Sequence, residues 1–139
     1  MNEKTTQKCN RLVTLAPGEQ ITLTEAVQIG KVSAKKQIAT SAVVGVLTAG
    51  TVLVSLKPAA FYLVLTNQRL FLIGNKRGLV GNVALVVPLD QVTVAEPLQG
   101  HALTLSMHVD IAGTQYRFSW GRAQAGMARK VAAAIPGGS

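Results

Sequence analysis

Apolar and polar residues alternate along much of the chain after residue 20. The alternation is clearest at 103–111, where Leu, Met, Val and Ile are separated by Thr, Ser, His and Asp, and it resumes at 116–120 after a glycine turn. A period of two is typical of a strand with one buried face. Shorter β-prone runs bounded by Gly, Pro, Asn and Asp occur between the two ends of this region. The strands predicted in this way cover residues 21–29, 61–66, 69–73, 83–87, 92–94, 103–111 and 116–120.

The pattern changes after Gly121. Apolar residues then recur every three to four positions up to Ile135, and Pro136 and two glycines follow. This spacing predicts one amphipathic C-terminal helix. Residues 1–14 are mainly polar and charged, so we expect a flexible N-terminal tail. A single domain at 15–135 and a second short tail at 136–139 complete the predicted organisation, since 139 residues suit one core.

Residues 38–56 form a stretch of nineteen uncharged residues between Lys35-Lys36 and Lys57-Pro58. The length approaches the ~20 residues that a membrane-spanning helix needs. The many β-branched residues also suit strands, with a hairpin tip near residues 48–51. Three interpretations therefore stay open: contact with a membrane surface, burial against protein, and a membrane span.

The chain is strongly basic, with 14 Lys and Arg, 6 Asp and Glu, and a net charge of +8. Such an excess favours anionic partners such as acidic lipid, nucleic acid or acidic protein. The few aromatic residues are clustered rather than interleaved with bases, which argues against nucleic acid. The first twenty residues lack the apolar region of a secretory signal. We therefore expect a cytoplasmic protein that can act at the inner face of the membrane.

Residues that carry catalysis are scarce. Histidine occurs only at 101 and 108, and the single cysteine, Cys9, excludes an intramolecular disulfide. No zinc spacing or phosphate-binding glycine loop can be recognised, and no carboxylate has a ligand spacing to either histidine. The alternation places His108 on the polar side of its strand, which favours a solvated side chain over a general base. The sequence predicts a non-enzymatic protein with no catalytic residue, metal site or cofactor.

Three short motifs resemble bacterial domains of the pleckstrin-homology-like (PH-like) and GRAM-like families. Residues 64–73, Val-Leu-Thr-Asn-Gln-Arg-Leu-Phe-Leu-Ile, resemble their Leu-Thr-Asn-x-Arg-Leu core. Residues 87–92, Val-Pro-Leu-Asp-Gln-Val, are similar to a short strand and turn of the same families, and residues 15–19 resemble the Gly-Glu pair before their first strand. Within this pattern Arg69 is expected to be structural rather than ligand-binding.

The resemblance implies a mainly β fold, a PH-like seven-stranded antiparallel barrel or sandwich with one C-terminal helix. It also implies a domain without enzymatic activity of its own, in families whose members mostly bind membranes or proteins. Residues 30–58 then form a long apolar insertion between strands 1 and 2. In PH domains that bind phosphoinositides this connection carries basic residues to the headgroup. The spacing of the eukaryotic motif is absent here, so headgroup specificity is not carried over.

Two functional hypotheses follow. In the first, the insertion docks the domain on an anionic membrane or a protein partner, with flanking lysines guiding its approach. In the second, the protein is structural and self-assembling, and the same segment packs between chains of a homo-oligomer. A single membrane crossing conflicts with an intact PH-like fold because it would separate the first strand from the others, and it remains open only if the first strand lies outside the barrel. The predicted contact residues are Lys31, Lys35, Lys36, Val43, Val44, Val46, Leu47, Val52, Leu53, Val54 and Lys57.

Overall fold

The computed structural model describes residues 2–31, 47–48, 59–100 and 102–135. Eight strands, two α-helices and two short 3-10 helices are formed by these residues. The 3-10 helices are Leu89–Gln91 and Arg122–Gln124. The helices and strands are α1 (Glu3–Arg11), β1 (Ile21–Lys31), β2 (Leu47–Thr48), β3 (Ala59–Thr66), β4 (Arg69–Lys76), β5 (Leu79–Pro88), β6 (Val92–Gly100), β7 (Thr104–Ile111), β8 (Thr114–Gly121) and α2 (Ala125–Ala134).

All strands belong to one antiparallel sheet in the order β2-β5-β4-β3-β1-β8-β7-β6. Strands β3 to β5 form one meander and β6 to β8 form another, and β1 joins the two. It pairs with β3 from Ile21 to Ile29 and with β8 from Gln28 to Lys31. Seven long strands and a C-terminal helix confirm the predicted mainly β class. Within the described residues the sheet is open, with β2 and β6 at its edges.

The inner face of the sheet holds the main core, and α2 packs against it. The helix buries Ala128, Val131 and Ala132, and Ile135 follows at its end. These residues meet inward side chains from both meanders, such as Leu63 and Phe118, each fully buried. The three-to-four spacing therefore predicted this helix, and two residues of that pattern, Val131 and Ile135, are buried.

The N-terminal segment differs from the prediction, which was wrong in treating residues 1–14 as a flexible tail. Residues 3–11 form α1, and the Asn2 side chain caps it by accepting the Thr5 N–H at 2.8 Å. Cys9 is fully buried, and Val13 is 7% exposed just after the helix. Both pack with a second apolar cluster on the outer face of the sheet. This packing could not be predicted from the sequence, because Cys9 is the only buried residue within α1 and the helix therefore has no apolar stripe.

The second cluster consists of outward side chains from β3 and β4. Tyr62, Val64, Phe71 and Ile73 are at most 4% exposed. Because inward neighbours such as Leu63 are also buried, this half of the sheet is covered on both faces. That explains the continuous apolar run at 61–65, which does not alternate.

Several strands are longer than the sequence predicted. β5 begins at Leu79 rather than residue 83, and β6 continues to Gly100 rather than ending at residue 94. Irregular register in both strands interrupts the period of two from which boundaries are read. The β4–β5 and β7–β8 loops each have two residues with positive φ, Arg77-Gly78 and Ala112-Gly113, as type I′ hairpin turns require.

Candidate functional site

Of the residues predicted to contact a membrane or partner, the structure describes two. Lys31 is the last residue of β1, and Leu47 pairs with Val86 of β5. The others lie outside the described residues: Lys35, Lys36, Val43, Val44, Val46, Val52, Leu53, Val54 and Lys57.

The strands on either side of this segment are direct neighbours in the sheet. Ile29 pairs with Ala59, so β1 ends beside the residue at which β3 begins. Both attachment points of the intervening chain therefore lie at one end of the sheet.

A basic hairpin turn lies at the same end. Phe61 pairs with Gly74, and extending this register by two residues brings Lys76 opposite the start of β3. Lys76 and Arg77 are exposed in the turn, and Leu79 just after it is 68% exposed. Exposed cations and one exposed leucine thus flank the place from which the apolar segment departs.

A buried carboxylate joins two of the sequence motifs. Glu19, in the segment before β1, has a fully buried side chain and binds Arg69 through both oxygens. Arg69 Nε donates to Glu19 Oε2 at 2.9 Å, and the Ala16 N–H donates to Oε1 at 2.9 Å. The Thr66 hydroxyl also donates to Oε2. Hydrogen bonds from Arg69 first, then from Thr66 and Ala16, hold the pKa of Glu19 at about 2 against the opposing effect of burial, below its ordinary 4.5.

The β3–β4 turn binds the same segment through Asn67. Its Oδ1 accepts the Gln20 N–H at 2.9 Å, and its Nδ2 donates to the Gly18 carbonyl at 3.1 Å. Arg69 adds a bond from Nη2 to the Thr14 carbonyl at 2.7 Å and lies 4.7 Å from the centre of the Phe71 ring. The motif residues therefore fasten the chain between α1 and β1 to the sheet. Arg69 is structural, as its position in the motif indicated.

The outer face of the other half of the sheet, formed by β6, β7, β8 and the end of β1, is polar and is not covered by α1. Gln28 of β1 pairs with Ser119 of β8, which pairs with Ser106 of β7, which pairs with Gln99 of β6. Paired residues place their side chains on the same face, so these four form a row across the strands.

A second row lies two residues along the strands. Gly30 pairs with Arg117, Arg117 with His108, and His108 with Glu96. A register shift between Glu96 and Gln99 lets both reach the outer face although they are three residues apart. We call the two rows the polar face: Gln28, Ser119, Ser106, Gln99, Arg117, His108 and Glu96.

Two adjoining cavities lie along this face, with volumes of about 400 and about 590 Å³. They share Gln28, Thr104 and Ser119. The smaller lies where β1 and β8 separate, and there the Trp120 indole N–H donates to the Ala26 carbonyl at 3.1 Å. The larger contains Arg117 and the other charged side chains of the polar face.

His108 has a partner that the sequence did not reveal. Its Nδ1 lies 3.4 Å from Glu96 Oε2, and its side chain is only 15% exposed. The expectation of a solvated histidine was wrong, because the β6–β7 pairing, which sequence spacing does not reveal, brings His108 and Glu96 together. No group of three or more His, Cys, Asp or Glu suitable for a metal occurs among the described residues.

Comparison with known proteins does not assign the chain to a family. No family model matches the chain, and no curated protein matches it. Among the described residues, neither α1 nor α2 has the length and apolar character needed to cross a bilayer.

Proposed function

We propose that this protein is a non-enzymatic docking module with a PH-like fold, which binds an anionic membrane surface through its lysine-flanked apolar segment. The observation that carries the proposal is the position of the two strands that flank the segment. Both of its attachment points lie at one end of the sheet, at the β1–β3 pair, beside the exposed cations of the β4–β5 turn.

The order of elements supports the PH-like assignment. The chain forms first a four-stranded set (β1, β3, β4 and β5) and then a three-stranded set (β6 to β8). A C-terminal helix packed on the inner core follows, which is the order expected of that fold. Two of the motifs that carry the resemblance also contact each other, because Glu19 of residues 15–19 binds Thr66 and Arg69 of residues 64–73.

The charges and the apolar segment would act together. Nine of the residues in 38–56 are Ile, Val or Leu, and lysines flank the stretch at 31, 35, 36 and 57. Each cation near an anionic surface contributes about 1 kcal/mol, so the four flanking lysines provide a few kcal/mol at low salt. Because β1 and β3 are paired, a single crossing by the segment would have to separate two neighbouring strands. Insertion into the interface by residues of the segment other than Leu47 and Thr48, which pair with β5, avoids that cost.

Vesicle sedimentation tests the proposal. The protein should pellet with vesicles containing anionic phosphatidylglycerol, bind weakly to neutral phosphatidylcholine vesicles, and dissociate as salt screens the charges. A triple variant, Lys35→Gln, Lys36→Gln and Lys57→Gln, should lose most of this binding. The matched control is Lys4→Gln, Lys8→Gln and Lys130→Gln, which removes the same charge from α1 and α2 and should keep most of it.

Equal loss in the two triple variants would reduce the effect to net charge and overturn the role of the segment. Absence of binding to anionic vesicles at low salt would overturn the membrane proposal as a whole. Light scattering decides the alternative of self-assembly. A mass well above 14.6 kDa without lipid, abolished by Leu53→Asp, would favour a homo-oligomer built through the same segment.

A further inference from the structure

The polar face presents side chains that the fold itself does not use. Gln28 and Gln99 are exposed, and Ser106 and Ser119 are partly exposed. Within the described part of the chain, no hydrogen bond joins any of these four side chains to another residue. Amide and hydroxyl groups can both donate and accept, so the row is suited to a ligand with several hydroxyl groups.

The dimensions fit a small molecule. Neighbouring strands are about 4.8 Å apart, so the row from β1 to β6 extends over about 14 Å. The cavity of about 590 Å³ along the row is within the range typical of small-molecule sites.

Arg117 supplies the fixed positive charge of this cavity. It is exposed, and no ion pair or hydrogen bond links it to any other residue that the structure describes. Its neighbour in β1 is Gly30, so no charged side chain of that strand lies directly opposite it. A guanidinium in this position can bind a carboxylate through two parallel hydrogen bonds.

The balance of charge favours a singly charged ligand. Glu96 lines the same cavity and lies against His108, so a bound anion there meets attraction from Arg117 and repulsion from Glu96. A phosphate monoester carries about −1.5 to −2 at neutral pH and would leave excess negative charge beside Glu96. A carboxylate carries one charge, which Arg117 can neutralise.

We propose that the polar face binds a hydroxylated monocarboxylate of the sugar-acid class, with Arg117 on the carboxylate and the Gln28, Ser119 and Ser106 row on the hydroxyl groups. This site is separate from the apolar segment and does not depend on membrane docking.

Titration calorimetry of the full chain with sodium D-glucuronate tests the site. D-Glucose has similar hydroxyl groups without the charge, acetate has the charge without the hydroxyl groups, and glucose 6-phosphate carries a phosphate instead. We expect glucuronate to bind more tightly than all three. Arg117→Gln should weaken glucuronate binding about tenfold or more, the scale of one charge-assisted pair, and Arg117→Lys should restore part of it. Arg129→Gln, the same change at an exposed residue of α2, should leave binding unchanged.

Each other result contradicts the proposal. Failure of glucuronate to bind overturns the site, and acetate binding as tightly as glucuronate overturns the role of the hydroxyl row. Tighter binding of glucose 6-phosphate overturns the charge argument. If Arg117→Gln binds like the wild type while its melting temperature is unchanged, the ligand lies elsewhere. Ser106→Ala with Ser119→Ala provides an independent check, because it should weaken glucuronate binding without affecting acetate.

Discussion

Arg69 holds both carboxylate oxygens of Glu19 across a separation of 50 residues. The Glu19 side chain has no exposure, whereas that of Arg69 is 29% exposed. The Glu19 carboxylate is therefore fully desolvated, and its interaction with Arg69 offsets the cost of that desolvation. Thr66 and Ala16 donate to the same carboxylate, so these hydrogen bonds of Glu19 form when the chain folds.

Replacing Glu19 should therefore destabilise the protein more than an ordinary surface substitution. We expect Glu19→Gln to lower the free energy of unfolding by about 2–3 kcal/mol, because Arg69 loses its charged partner and one of the two acceptor oxygens becomes an NH2 group that faces other donors. Urea unfolding followed by Trp120 fluorescence measures this. Glu96→Gln is the matched control, with a carboxylate side chain that is 60% exposed, and should change stability by no more than about 0.5 kcal/mol. Similar losses in both variants would show that the Glu19 network contributes little.

The same pair predicts how stability depends on acid. The pKa of Glu19 is about 2 in the folded protein and 4.5 ordinarily, so the unfolded state binds the proton more tightly. The stabilisation is therefore fully present above pH 4.5 and is lost as the pH falls toward 2, by about 2 kcal/mol once the partial exposure of Arg69 is allowed for. Urea midpoints measured between pH 6 and pH 2 should fall more steeply for the wild type than for Glu19→Gln. Parallel curves would contradict the assignment.

The sequence predicted the elements whose pattern is local. The alternation at 103–111 and 116–120 became β7 and β8, and the three-to-four spacing after residue 121 became α2. α1 was missed because a helix with one buried residue has no stripe, and its burial depends on outward side chains such as Tyr62 from strands far along the chain.

The candidate site was less accessible from the sequence. The polar face exists only through strand register, which brings together Gln28, Ser119 and Ser106 from three strands. Each of these residues alone is an ordinary polar residue of an alternating strand. The Glu19–Arg69 pair could have been suspected, because both residues lie in motifs that resemble one family, but nothing in their spacing indicates that the motifs meet.

The β7–β8 turn offers a stabilising change. Ala112 has a φ of 55°, a left-handed conformation that costs an L-residue with a Cβ about 1 kcal/mol. Ala112→Gly should therefore raise the free energy of unfolding by up to about 1 kcal/mol, and Ala112→Asn by less. The control is Ala123→Gly in the Arg122–Gln124 helix, an exposed alanine without positive φ, which should destabilise slightly. A lower melting temperature for Ala112→Gly would contradict the strain.

Cys9 makes the docking of α1 measurable, because it is the only cysteine and is fully buried. Burial raises the pKa of its thiol to about 11, so maleimide labelling at neutral pH should be slow and should proceed through detachment of α1. Asn2→Ala removes the helix cap, worth about 1 kcal/mol, and should speed labelling about fivefold. Asn82→Ala, an exposed asparagine of β5, should leave the rate unchanged. If Asn2→Ala instead lowers the urea midpoint of the whole sheet in proportion to the faster labelling, α1 does not detach separately, and Cys9 is exposed only by global unfolding.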